Sequence, residues 1–135
     1  MRNLHRYLLT LIAATTITVA AQAQSPTGNW SVDANGYTGI MALNVNLAGT
    51  VTGSFFGNPI KGFYNFSTKR LMFYRAINGT TLSTPPEQIQ IYDGYMFPAV
   101  ASNPTGPQRF AGEFRFFAGT GGTPLYNVAG WFATK

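Results

Sequence analysis

Apolar and polar residues alternate along most of the chain after residue 27, as they do in strands that bury one face. Clusters of Gly, Asn, Pro and Ser interrupt the alternation, and no long stretch has the 3.6-residue period of a helix. The pattern predicts eight strands, at 28–34, 37–46, 49–56, 59–66, 69–77, 87–97, 108–117 and 125–134.

Short turns join most of these strands, at the sequences ANG, NLAG, GNP and STK. Consecutive strands with short turns are typical of an antiparallel meander. Closing the sheet removes its two exposed edges, and an eight-stranded barrel has room inside for side chains or one small ligand. We therefore predict an all-β fold, an eight-stranded antiparallel up-and-down meander β-barrel.

Three connections differ from the short turns: 78–87 and 101–108 are longer, and 119–124 is rich in glycine. Because binding specificity often resides in loops carried by a rigid scaffold, we expect these three connections to frame a mouth of the barrel.

One face of the predicted strands is apolar and forms the predicted core. It contains Trp30, Val32, Met41, Leu43, Val45, Val51, Phe55, Ile60, Tyr64, Leu71, Phe73, Ile89, Ile91, Phe110, Phe114, Phe116, Val128 and Phe132. Gly53, Gly62, Gly112 and Gly130 fall on the same face, where glycine either allows a strand to bend sharply or leaves space inside. Bending is the commoner role in barrels.

Residues 1–23 have the build of a secretory signal: Arg2 and Arg6, then the apolar run YLLTLIAATTITVAA, then the small-residue pattern AQA. We predict cleavage after Ala23, leaving 24–135 as a single β-barrel domain that is secreted or periplasmic. A membrane anchor is the alternative, but the apolar run is shorter than the roughly 20 residues that span a bilayer.

The charged and reactive residues exclude several kinds of function. Nine Lys and Arg oppose four Asp and Glu, without a basic run of the kind that binds nucleic acid. The chain has no cysteine, and its one histidine, His5, lies in the predicted signal. Nucleophile–base pairs and the usual soft metal ligands are therefore absent, and we predict neither an enzyme nor a cofactor or metal site.

The predicted interior contains the candidate ligand-binding residues. Asp93 and Arg75 share the phase of core positions, so they form either a buried pair or separate charges at the wet rim, which costs less. With the neighbouring aromatic positions they make a site for a small apolar or aromatic ligand. The candidates are Phe55, Tyr64, Phe73, Arg75, Asp93 and Tyr95.

The predicted outer face is also rich in large apolar side chains on neighbouring strands: Phe56, Phe63, Met72, Tyr74 and Tyr92. Such a patch usually marks a partner surface, although scattered surface aromatics are common. We predict an interface with a second copy of the chain or with another envelope protein. Stable membrane insertion is disfavoured, because the strands are short and outward positions also hold Lys61, Asn65, Gln88, Gln90 and Glu113.

Two motifs, TGNW at 27–30 and VTGSF at 51–55, resemble the avidin and streptavidin family, while a G-x-W opening is also shared with lipocalins and other calycins. The resemblance implies an eight-stranded barrel that binds biotin at one mouth. This chain has Val32 where the family has a biotin-binding Asn, and Phe55 where the family has a tyrosine that donates to biotin. Trp131 is its only other tryptophan. We therefore predict the shape without tight biotin binding.

Trp30 has a predicted structural role: it closes one end of the barrel, with its N–H donating to a backbone carbonyl near the terminus. We predict an exported, non-catalytic interaction module that self-associates through its outer aromatic face, and the alternative is a carrier of a small apolar or aromatic ligand in the barrel mouth. Interior volume discriminates between them, because a filled barrel has no site, whereas an open cavity of a few hundred Å³ provides one.

Overall fold

Eight antiparallel strands form a closed barrel in the structure, a computed structural model that describes residues 25–77, 88–99, 102–103, 105–118 and 128–135. The strands are β1 (Gly28–Ala34), β2 (Tyr37–Val45), β3 (Thr50–Phe55), β4 (Asn58–Asn65), β5 (Arg70–Ile77), β6 (Gln88–Phe97), β7 (Arg109–Ala118) and β8 (Val128–Thr134). Their bounds match the predicted ones to within one residue, except at the start of β8, where 125–127 lie outside the described residues. The predicted all-β meander is confirmed.

Each strand pairs with its neighbour in the sequence, and β1 pairs with β8 to close the sheet, from Ser31 opposite Thr134 to Ala34 opposite Trp131. Gln108 and Lys135 extend the β7–β8 pairing by exchanging two backbone hydrogen bonds of 3.1 and 3.0 Å. No described residue belongs to a helix long and apolar enough to cross a membrane.

The barrel comprises Pro26–Pro98 and Pro107–Lys135. Outside it, the Gly106 N–H donates to the Asn103 carbonyl at 3.0 Å within a separate short segment. The predicted signal, 1–23, lies outside the described residues, so it stays a prediction.

Two of the tight turns have two consecutive residues in the left-handed region. Asn35 and Gly36 have φ of 52° and 82°, the conformation that Asn-Gly favours in a two-residue hairpin. Phe56 and Gly57 repeat it with φ of 49° and 78°. A bulky residue rarely adopts a positive φ, so Phe56 is held in a strained conformation.

Trp30 lies in the core with no exposed surface, as predicted. Its Nε1–H donates to the Pro26 carbonyl at 2.9 Å, and its ring meets the edge of Phe110 at 4.6 Å between centroids. The Lys135 ammonium lies 5.3 Å from the ring centroid. These contacts close the end of the barrel at which the chain termini of the domain meet.

Strand β6 has the opposite phase to the prediction. Tyr92, expected outside, is buried, whereas Ile91, expected in the core, is 38% exposed. Register is the reason: Tyr92 lies opposite Phe73 on β5 and Phe114 on β7, and the three rings stack in parallel, each 4.7 Å from the next. Ile89 is likewise on the outer face and only half-buried.

Strand β8 is also shifted in phase. Val128 and Phe132, predicted in the core, are at least half exposed, and Trp131 is buried instead. The Trp131 ring fills space that glycine leaves, since a Cβ at Gly94 would lie 2.8 Å from the ring. Gly112 lies opposite both Gly94 and Trp131 in the sheet. Gly130 follows the shifted phase and faces outward, against the prediction.

The inward glycines serve both roles that the sequence left open. At Gly53 and Gly62 a Cβ would overlap the backbone of the adjacent strand, so these positions allow close strand approach. Gly112 is a third such position, since its Cβ would overlap the Asp93 backbone, whereas Gly94 also makes room for the Trp131 ring. The remaining predicted core is confirmed, with Val45 and Phe116 half-buried against it.

Candidate functional site

A cavity of about 290 Å³ opens at the end of the barrel opposite Trp30. It lies beside the β1–β2 and β3–β4 turns and reaches down to the aromatic core. Its lining consists of Ala34, Asn35, Tyr37, Phe56, Arg75, Gln90, Tyr92, Phe114 and Phe116. The barrel is therefore filled at one end and open at the other.

The prediction that three connections frame the mouth of the barrel is wrong for 101–108. Connections in an antiparallel meander alternate between the two ends of the barrel. Ile77 and Gln88, which flank 78–87, lie at the cavity end, as do the strand ends that flank 119–124. Phe97 and Arg109 lie at the opposite end, so the connection that includes 101–108 starts and finishes away from the cavity.

The floor of the cavity is aromatic. Tyr92 and Phe114 stack with an interplanar angle of 9°, and Phe116 meets Phe114 edge-on at 4.9 Å. Phe55 and Phe73 pack against Tyr92, with centroids 4.5 and 4.7 Å away. A planar apolar group entering the cavity would lie against rings already held in place by their neighbours.

Phe56 forms part of one wall, although alternation predicts that it faces outward. Its left-handed backbone turns the side chain back over the barrel mouth, where the ring meets the edge of Phe55 at 4.7 Å. The ring occupies the space beside Gly39 on β2, which has no side chain there. Phe56 thus lines the cavity and does not belong to an outer patch.

Arg75 is the one charged side chain that lines the cavity within the described ranges. Its Nη1 donates to the Gln90 Oε1 at 3.2 Å, and its guanidinium carbon lies 5.2 Å from the Phe56 ring centroid. The Nε–H is buried and has no hydrogen-bond partner among the described residues. This leaves a fixed cation with unused hydrogen-bonding capacity.

Gln90 and Tyr92 form a hydrogen-bonded polar group beside Arg75. The Tyr92 hydroxyl donates to Gln90 Oε1 at 2.7 Å, and Gln90 Nε2 donates to Gln88 Oε1 at 2.9 Å. Burial raises the pKa of Tyr92 to about 12, so the hydroxyl stays a neutral donor at physiological pH. The Gln90 carbonyl therefore accepts from both Tyr92 and Arg75, which fixes the guanidinium.

Asp93 and Tyr95 do not join this site, because the shifted phase of β6 places them on the outer surface. Asp93 pairs with Arg70 through contacts of 2.9 and 2.6 Å, and neither a buried Asp93–Arg75 pair nor two rim charges are found. The hydrogen bond from Arg70 lowers the pKa of Asp93.

The remaining candidates lie at different depths. Tyr64 is buried near the closed end, with its hydroxyl 3.8 Å from the Met96 sulfur, and does not line the cavity. Phe55 and Phe73 form the layer below the lining. Gln90 and Tyr92 were missed as site residues, because the opposite face of β6 holds two isoleucines, which local hydrophobicity favours for the interior.

Three of the five predicted interface residues do face outward, and with Ile91 they form what we call the outer wall patch: Phe63, Met72, Tyr74 and Ile91. Phe63 lies opposite Met72 and Tyr74 opposite Ile91, so the patch is continuous over β4, β5 and β6. Phe63 and Tyr74 are 49% and 44% exposed. Phe56 and Tyr92, which were also predicted to belong to this interface, line the cavity instead.

Across the part of the chain that is described, no three His, Cys, Asp or Glu side chains cluster in a way that could hold a metal ion. Of the described carboxylates, Asp93 and Glu113 pair with arginines on the outer surface.

Comparison with known proteins supports the architecture. No family model matches the sequence, and no curated protein matches it. Among solved structures, the chain is similar to a rhizavidin–biotin complex, with 18% sequence identity and a TM-score of 0.55. The similarity covers 82% of this chain and 92% of that chain. The protein therefore has an avidin-like β-barrel fold.

Proposed function

We propose that the protein is an exported, non-catalytic binding module that takes a small apolar or aromatic ligand in the open end of its barrel. The observation that carries this proposal is the cavity of about 290 Å³, lined by aromatic rings and one arginine. Its volume is near the lower end of the roughly 300–1,000 Å³ typical of small-molecule sites.

The cavity suits a ligand because its walls are preformed. Tyr92 and Phe114 are buried and stacked, so a ligand would not have to order them on binding. Phe56 is held over the mouth by its backbone conformation. Apolar surface that a ligand covers contributes about 25 cal/mol per Å².

Biotin is not the ligand we propose, although the fold is shared with a protein that binds it. The avidin resemblance implies polar contacts to biotin at the positions of Val32 and Phe55. Both side chains are buried and have no polar atoms. Each hydrogen bond lost to a buried polar ligand group costs about 1–3 kcal/mol. We expect calorimetric titration with biotin to show no binding in the nanomolar range.

A matched pair of phenylalanines tests the binding proposal. Phe116 lines the cavity, whereas Phe117, its neighbour on β7, faces outward. We expect 2-naphthamide, a neutral aromatic probe, to bind saturably with one site per chain. Phe116→Ala should weaken this binding and Phe117→Ala should leave it unchanged. Absence of saturable binding up to millimolar probe, or equal effects of the two variants, would contradict the proposal.

Export rests on the sequence of residues 1–23, which resembles a secretory signal. Expression of the full chain in a bacterial host should yield a soluble product outside the cytoplasm whose first residue is Gln24. A product retained in the cytoplasm with Met1 intact would argue against export.

Self-association is a second candidate function, favoured by the continuous outer wall patch. A two-fold contact through the patch would cover Phe63 and Tyr74 on both copies. Sedimentation of the wild type at tens of micromolar should show a dimer, which the double variant Phe63→Glu, Tyr74→Glu should dissociate. Ile40→Glu, which changes an exposed residue on β2, is the control. A wild-type monomer would exclude this candidate.

A further inference from the structure

We infer that the ligand is an aromatic carboxylate, with its ring against the aromatic floor and its carboxylate on Arg75. This inference rests on the proposed binding function and specifies the chemical class of the ligand. It comes from the surroundings of Arg75, which differ from those of Arg70 and Arg115, the arginines that form ion pairs among the described residues.

Arg75 has no carboxylate partner among the residues that the structure describes. Arg70 and Arg115 each form an ion pair, with Asp93 and Glu113 respectively. The carboxylate of Asp33 accepts a hydrogen bond from the Gly36 N–H at 3.1 Å, within the β1–β2 turn. A partly buried cation without a counter-ion is unfavourable, so an anion that enters the cavity gains from neutralising it.

The guanidinium is also held in position before a ligand arrives. Gln90 Oε1 accepts from Nη1 at 3.2 Å and is itself fixed by the Tyr92 hydroxyl at 2.7 Å. The Phe56 ring lies against the guanidinium, 5.2 Å from its central carbon to the ring centroid. A guanidinium presents paired N–H groups that match the two oxygens of a carboxylate.

The buried Nε–H points to the same chemistry. Buried donors are almost always hydrogen-bonded in native proteins, yet this one has no partner in the described part of the chain. A carboxylate that draws the guanidinium toward the cavity would give this donor a partner. Two of the other polar side chains of the lining, Gln90 and Tyr92, already bond to each other.

The rest of the lining selects a planar body. Phe114 and Tyr92 present stacked rings, and Phe116 closes the side of the cavity. The volume of about 290 Å³ fits a ligand of one or two fused rings. Size and charge together therefore favour acids built on a benzene or naphthalene ring.

The test compares acids with amides of the same shape. Calorimetric titrations of the mature chain with benzoate and 2-naphthoate are set against benzamide and 2-naphthamide. Of the two acids, the one that binds more tightly should have an affinity at least about tenfold higher than that of its amide. One charge-assisted hydrogen bond provides a ratio of this size. Arg75→Gln should bring this ratio close to one, because it weakens acid binding more than amide binding. Arg115→Gln, on the outer surface, should preserve it.

The outcomes separate the inference from the proposed function. If acid and amide bind equally well, or if Arg75→Gln leaves their ratio unchanged, the inference is wrong and the binding function stands. If neither acids nor amides bind up to millimolar concentration, both are wrong. Circular dichroism of each variant verifies that the barrel remains folded.

Discussion

The ring of Phe56 occupies the space beside Gly39 that a side chain on β2 would need. The contact joins two strands at the mouth of the barrel, and Phe56 accepts a left-handed backbone, with φ of 49°, to make it. The absent side chain at position 39 is therefore part of what shapes the cavity.

Replacing Gly39 by alanine should displace the Phe56 ring, because a Cβ there overlaps two of its ring atoms. Overpacking of this kind costs about 1–3 kcal/mol, which urea unfolding would measure. Aromatic probe binding should weaken as well. Gly130→Ala is the matched control, since its Cβ would meet only the Gly112 carbonyl oxygen, at 3.9 Å. Equal stability of the two variants would contradict this account of Phe56.

Trp30→Phe tests the closed end of the barrel. The change removes the 2.9 Å hydrogen bond to the Pro26 carbonyl and part of a fully buried ring. We expect a loss of about 1–3 kcal/mol in the free energy of unfolding, measured with urea. Phe132→Leu, at a half-exposed position, should change it by less than about 0.5 kcal/mol. Ligand binding in the cavity at the opposite end should persist. A Trp30→Phe variant that stays folded but loses binding would contradict the view that the two ends of the barrel have separate roles.

Alkaline pH should destabilise the fold through two buried tyrosines. Burial raises the pKa of both Tyr64 and Tyr92 to about 12 from 10.0. Between these values the unfolded chain releases protons that the folded chain retains, so stability is complete below about pH 10 and falls as pH rises toward 12. Urea unfolding across this range should show the decline, and Tyr64→Phe should reduce its slope. A free energy of unfolding that stays constant up to pH 12 would contradict the raised pKa of the two tyrosines.

The Arg70–Asp93 pair should contribute only at pH values where Asp93 is ionised. Its pKa lies below the ordinary 3.8, chiefly because of the hydrogen bond from Arg70. The contribution is therefore present above about pH 4 and is lost as pH falls through the lowered pKa. Asp93→Asn should lower the thermal midpoint slightly at neutral pH and leave it unchanged near pH 2. Glu113→Gln, in the more exposed pair with Arg115, should have a smaller effect.

The sequence by itself determined the architecture. Alternation and turn residues located all eight strands, because each strand must satisfy its own geometry and each tight turn its own φ values. Asn35–Gly36 shows this locally, since the dipeptide favours the left-handed turn it forms. The role of Trp30 was also predictable, because a large ring beside a chain terminus closes an end of a barrel.

Only the tertiary structure decided the phase of β6 and β8. The face of β6 with Ile91 is more apolar than the face that Tyr92 shares with Gln90, so the local pattern favours Ile91 inside until the register with β5 and β7 is known. That register sets Tyr92 between Phe73 and Phe114, and with it brings Gln90 to Arg75. The candidate site depends on these long-range pairings, which no local pattern of hydrophobicity records.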